Sequence, residues 1–167
     1  MIRTFIKLLE TYLYNKGKYF VITGRPINNT ETVPYLVRYF VFRSKWLNVY
    51  IHRFLRSDAD ELHDHPWDFA TYVVEGSYKE HTFYGVTERE QGSLAFRRAT
   101  DFHRVEVDKN RPIEEVKDAP LTLFVSGPRK KEWGFISREY GYSHSKPQWI
   151  PYWNYLKVER KEKEDWD

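Results

Sequence analysis

From residue 18 onward the chain is cut by turn residues into short runs rich in Tyr, Phe, Val and Ile, and this punctuation is the strongest limit on its fold. The runs lie at 18–23, 35–43, 47–56, 71–75, 77–84, 94–98, 103–107 and 121–126. They are closed by Gly24-Arg25-Pro26, Ser57-Asp58-Ala59-Asp60, Gly76, Gly85, Gly92-Ser93 and Gly127-Pro128. β-Branched and aromatic side chains suit a half-buried pleated surface, whereas Gly, Pro, Asp and Ser supply the dihedral angles of turns. Short strands spaced about eight to twelve residues apart predict a mainly β sandwich or barrel. The alternation is clearest over 47–56, with Val49, Ile51, Arg53 and Leu55 on one face and Tyr50, His52, Phe54 and Arg56 on the other.

Ahead of these runs, Ile2, Phe5, Ile6, Leu8, Leu9, Tyr12 and Leu13 recur at helical spacing. They predict an amphipathic helix over about 2–16, ending near Gly17 and packed on the outside of a sheet. The barrel is expected over about 18–136, with 108–119 as a charged surface loop around Pro112. Residues 140–155 crowd Tyr140, Tyr142, Trp149, Tyr152, Trp153 and Tyr155 among Pro147 and Pro151. That predicts an aromatic-rich C-terminal arm and charged tail over about 137–167, packed on the barrel without regular structure. Nothing in the composition marks a linker, so 1–167 reads as a single domain.

The composition narrows the chemistry. The chain has no cysteine, which removes disulfides and thiolate ligands and leaves His, Asp and Glu as the strong metal donors. Net charge is +3, from 27 basic and 24 acidic residues, too even for a nucleic-acid footprint except through local groups such as Arg97-Arg98 and Arg129-Lys130-Lys131. No stretch is apolar enough to span a membrane, and the charged start Met1–Glu10 does not read as a signal peptide. A cytoplasmic location is expected.

Within this β framework stands Glu61-Leu62-His63-Asp64-His65-Pro66-Trp67-Asp68, answered by Asp101-Phe102-His103-Arg104-Val105. Two histidines one residue apart share a face on an extended backbone, because side chains alternate with period two. A third imidazole from a later strand completes one face of a coordination sphere, and imidazole suits iron, nickel, copper and zinc. Asp64 falls on the opposite face and is read as structural. His52, on the face of Tyr50 and Phe54, is read as a packed and hydrogen-bonded histidine. A guanidinium fork matches a carboxylate or phosphate. Arg53 and Arg129 are therefore the expected substrate-binding cations, the latter presented by the Gly127-Pro128 turn. Tyr72, with Tyr78 and Tyr84, is a candidate to position substrate or donate a proton.

These residues resemble the two motifs of the cupin superfamily. The first is matched by His63, His65 and Gly76, the second by Gly92 and His103, and the likeness covers roughly residues 47 to 127. It departs from the family where a glutamate is usual: Phe69 or Ala70 stands there, with Asp68 one residue short and Glu75 well beyond. The resemblance implies a small jelly-roll barrel holding one divalent transition metal on His63, His65 and His103. Fe(II) comes first, with Ni, Mn or Zn as the other metals. The site is then three-histidine, as in thiol-dioxygenase-like members, with Asp68 either a fourth ligand or an acceptor for an imidazole N–H. The implied activity is that of a non-haem metal enzyme, a dioxygenase or an isomerase, acting on a small polar or anionic substrate. The alternatives are a non-catalytic ligand-binding or sensing cupin and, behind it, a nucleic-acid-binding protein. The resemblance also admits a homodimer joined through sheet edges.

Overall fold

The computed structural model describes residues 1–23, 33–58, 61–137 and 148–152. The expected turn at Gly24-Arg25-Pro26, the turn residues Ala59-Asp60, most of the arm and the charged tail lie outside the described residues. The chain opens with helix α1 (Ile2–Asn15). It continues through β1 (Tyr19–Thr23), β2 (Pro34–Arg43), β3 (Asn48–Phe54), β4 (Phe69–Glu75), β5 (Tyr78–Thr82) and β6 (Gly85–Arg89). Strands β7 (Leu94–Arg97), β8 (His103–Glu106), β9 (Leu121–Ser126), β10 (Gly134–Ser137) and β11 (Gln148–Pro151) complete it. No helix among the described residues is long and apolar enough to cross a membrane.

The strands form two facing antiparallel layers. One is the six-stranded sheet β1-β2-β3-β9-β4-β7. The other begins as β6-β5-β8, and isolated bridges from His63 to His103 and to Phe135 carry it on to the β10-β11 pair. Between β3 and β10 the chain crosses repeatedly from one layer to the other. Two of the crossings fall at Gly76, between β4 and β5, and at Gly92, between β6 and β7. Their φ angles of 74° and 95° lie in the region where a Cβ is strained, so these sharp corners suit glycine.

The larger sheet is buried on both faces. Leu36, Phe54 and Val73 meet Tyr78, Val105 and Val107 of the other layer and close the barrel interior. On its outer face Val37, Tyr39, Ile51, Leu55, Val74 and Leu121 pack against Ile6 and Leu13 of α1. Each such large side chain contributes about 1.5–3 kcal/mol when fully buried. The helix lies outside the sheet, as its hydrophobic spacing predicts.

Arg53 belongs to this outer packing rather than to the barrel interior. It is 3% exposed, and its Nε and Nη2 donate to the two oxygens of Glu10 on α1 at 2.8 and 2.9 Å. Its Nη1 reaches the carbonyls of Lys117 and Ala119. The alternation over 47–56 is correct, but the face carrying Arg53 is the one α1 covers. Removing one partner of a buried pair leaves an uncompensated charge, whereas replacing both is close to neutral. Arg53→Ala is therefore expected to lower unfolding free energy by about 3–5 kcal/mol. The joint change Arg53→Met with Glu10→Leu is expected to restore most of it, as measured by denaturant unfolding.

Four elements differ from the sequence reading, among them β10, which lies beyond its last run at 121–126. A short 3₁₀ helix, Ile113–Asp118, interrupts the loop over 108–119. Strand β6 went unread because Gly85–Arg89 carries a single large apolar residue, Val86, and lies exposed. Strand β11 falls within the arm expected to be irregular. Among the described residues it pairs only with β10, at the end of the layer, so Pro151 removes no donor that another described strand needs.

Candidate metal centre

The histidine pair sits on a short extended segment clamped from both sides. The N–H groups of His63 and His103 donate to each other's carbonyls, both at 2.9 Å. On the far side Asp64 N–H donates to Gly134 O at 3.0 Å and Ile136 N–H to Leu62 O at 2.8 Å. Reciprocal bonding makes His63 and His103 a cross-strand pair, whose side chains share one face. His65, two residues on, returns to that face. The three rings form a nearly equilateral triangle, with centroid separations of 5.0, 5.1 and 5.1 Å.

One nitrogen from each histidine lies within 4.8 Å of the others, and the Nε2 atoms of His65 and His103 are 2.9 Å apart. Two imidazoles bound side by side at about 2.0–2.1 Å from one ion, at right angles, would stand about 3 Å apart. Burial, then the nearness of His63 and His103, push His65 well below its ordinary pKa, so its ring is neutral and offers a lone pair. The donor set fits a divalent transition metal.

Behind His103 stands a carboxylate that the sequence reading passed over. Glu80 alternates with Tyr78 and Thr82 on β5, and Thr82 pairs directly with His103, so Glu80 reaches the ring diagonally. Its Oε1 lies 3.0 Å from His103 Nδ1; Arg97 donates to both of its oxygens and Arg89 to Oε2. Burial by itself would raise its pKa. The hydrogen bond from His103 and the neighbouring Arg97 and Arg89 prevail and hold it at about 2. An ionised Glu80 accepting Nδ1–H turns the Nε2 lone pair of His103 toward the other two histidines.

Asp68 is not brought to the cluster. Its Oδ1 accepts from Ala99 N–H at 2.8 Å and its Oδ2 from Lys130, whose hydrogen bond depresses its pKa. The chain turns at Pro66, and Asp68 faces the turn at residues 127–131 instead of the imidazoles. Phe69 occupies the interior, its ring 4.7 Å from His65 and 5.4 Å from His103. Asp64 is structural, as expected. It is 1% exposed and accepts from Gly134 N–H, Lys131 Nζ and Trp149 Nε1, pinning the β10-β11 hairpin beside the histidines. A Cβ on Gly134 would lie 2.2 Å from Ile150 O, so the close hairpin pairing requires a glycine there.

The expected substrate-binding residues lie elsewhere. Arg53 is held by Glu10 on the outer face. Arg129 is largely exposed and paired with Glu132 at 2.6 Å. Tyr72 packs against the α1 cluster, its hydroxyl accepting from Arg3. The local basic groups are mostly engaged as well, Arg97 by Glu80, Lys130 by Asp68 and Lys131 by Asp64. The interior instead presents His52 and Arg38. His52 is 3% exposed and its Nε2 accepts from Arg38 Nε at 3.0 Å, in keeping with a packed, hydrogen-bonded histidine. Arg38 sits within the nearly unbroken apolar run 35–42; its signal was the period-two step to Leu36 and Phe40.

No family model matches the chain, and no curated protein matches it in sequence. Its fold is matched by solved structures. A cupin 2 conserved barrel domain protein from Rhodopseudomonas palustris aligns over 72% of this chain and 79% of its own, with TM-score 0.53 and 11% identity. An RmlC-like cupin from Shewanella frigidimarina aligns over 71% and 86%, with TM-score 0.45 and 15% identity. KdgF from Halomonas sp. aligns over 66% and 95%, with TM-score 0.46 and 19% identity. The likeness to the Rhodopseudomonas barrel, at TM-score 0.53 and over two facing antiparallel layers of this chain, makes it a cupin in fold.

Proposed function

We propose that the chain is a metal-dependent cupin in which His63, His65 and His103 hold one divalent transition metal, and that it is a non-haem metal enzyme of oxygenase type. Iron(II) comes first, with nickel, manganese or zinc as the other metals. The observation that carries this reading is the convergence of three imidazoles from two separate segments, one nitrogen of each within 4.8 Å of the others. When bound, such an ion acts as a Lewis acid with open positions and, as iron(II), supports dioxygen chemistry.

The chain's own groups do the rest. Glu80 fixes the tautomer of His103 and stays ionised across the working pH range. The rings of Phe69 and Phe124, stacked at 5.0 Å, keep the inner wall apolar and limit water near the reacting atoms. Trp67 lies beside His65, and its buried indole N–H finds no acceptor among the described residues. It is available to hold a polar atom of a small substrate.

Elemental analysis of untreated protein tests the metal, and anaerobic reconstitution with Fe(II) tests the reaction. Oxygen uptake is expected with at least one member of a panel of small thiols, carboxylates and diketones. Iron-loaded protein that takes up no oxygen with any of them would overturn the oxygenase assignment.

A further inference from the structure

Arg38 lies on the inward face of β2 and pairs across the sheet with His52 of β3. Its Nε donates to His52 Nε2 at 3.0 Å, and its guanidinium carbon sits 4.8 Å from the centroid of the Tyr50 ring. These contacts fix the plane of the fork but do not neutralise it. Burial first, and the Arg38 charge second, push the His52 pKa well below its ordinary value, so this neighbour is a neutral acceptor. No Asp or Glu among the described residues pairs with Arg38, and its Nη groups make no hydrogen bond there.

Most of the other buried or partly buried arginines are paired, Arg56 being the exception, its buried Nε having no hydrogen-bond partner among the described residues. Arg53 is paired with Glu10 and Arg111 with Asp108, while the partly buried Arg89 and Arg97 share Glu80. A guanidinium withdrawn from water without a counter-charge is unfavourable unless an anion comes to it.

Arg38 also shares its interior with the histidine cluster. The ring of His52 lies 4.9 Å from that of Phe124, which stacks on Phe69, which in turn touches His65 and His103. Thr122 and Ser126 alternate with Phe124 on this inward face of β9, and their buried hydroxyls have no partner among the described residues.

We propose that Arg38 binds the carboxylate of a small organic acid inside the barrel, its two Nη groups forking onto the two oxygens, while the other end of the acid lies at the histidine cluster. The second contact rests on the metal-centre reading; the first does not. A planar fork matches a carboxylate in shape, and a single unpaired positive charge matches one carboxylate in charge. The Phe124–Phe69 stack then acts as a spacer, which selects acids with a second polar group one short chain away from the carboxylate.

The test is titration of the untreated full-length protein, and of chelator-treated protein, with malonate, acetate and inorganic phosphate. Binding is read by calorimetry and by the side-chain Nε–H resonance of Arg38. Malonate is expected to shift that resonance in both preparations, a readout that needs no variant. Arg38→Gln is expected to weaken malonate binding about tenfold or more. Arg38→Lys, which keeps the charge and loses the fork, is expected to fall in between. Metal content should be unchanged in both variants. Equal malonate affinity in wild type and Arg38→Gln would overturn the proposal, as would no response to either carboxylate. A response to phosphate alone would overturn the carboxylate assignment. If the untreated protein holds no metal yet Arg38 still governs malonate binding, the clamp stands and the metal-centre reading falls. Metal on the histidines with no role for Arg38 gives the reverse.

Discussion

Replacing His63 and His65 together by alanine is expected to bring the metal content of the purified protein to background while leaving the barrel folded. The segment that carries them is held by backbone bonds to His103, Gly134 and Ile136 and by the contacts of Asp64, none of which uses an imidazole. Two of the three donor nitrogens vanish, and one histidine is a weak anchor for a divalent ion. Elemental analysis reads the first half of the result, and thermal melting with far-ultraviolet dichroism reads the second. Full occupancy in a folded double variant would remove the three histidines as the ligands.

The change Glu80→Gln should act on metal and fold at once. The amide can still accept from His103 Nδ1 but no longer polarises the ring, and loss of such a supporting carboxylate costs about 10–100-fold in metal affinity. Arg89 and Arg97, both partly buried, lose their shared counter-charge, so unfolding free energy should fall by about 3–5 kcal/mol. The depressed carboxylate contributes stability that is present above its ordinary value of 4.5 and is lost as pH falls toward about 2. The variant should therefore also flatten the acid limb of the stability curve over that window. Competition with a chelator measures the affinity, and urea unfolding at a series of pH values measures the rest. An unchanged acid limb would place the stabilising charge elsewhere.

The parts of this molecule that could be read from sequence are those set by short-range periodicity. His63 and His65 share a face because of a period of two, and His103 announces itself on a later alternating strand. The corners at Gly76 and Gly92 likewise follow from local backbone needs. What stayed hidden depends on which strand lies beside which. Glu80 meets His103 only because β5 pairs with β8 in one register. Arg53 was assigned to the interior because alternation separates two faces without saying which one a helix will cover. Arg38 was masked by a strand buried on both sides, where inward and outward residues are alike apolar. Asp68, beyond the turn at Pro66, is engaged by Ala99 and Lys130, partners that the local break in alternation did not announce.

The reciprocal bridge between His63 and His103 closes a loop of about forty residues, and closure of a loop that long carries a substantial entropic cost. Two backbone hydrogen bonds hold that closure in the protein alone. An ion shared between the same two residues is a reversible cross-link across it, contributing about 2.7 kcal/mol when free metal exceeds its dissociation constant a hundredfold. Contacts so distant in sequence form late in folding, so the cross-link acts mainly on the rate of unfolding. On the proposed three-histidine metal reading, metal supply would set the lifetime of the folded barrel.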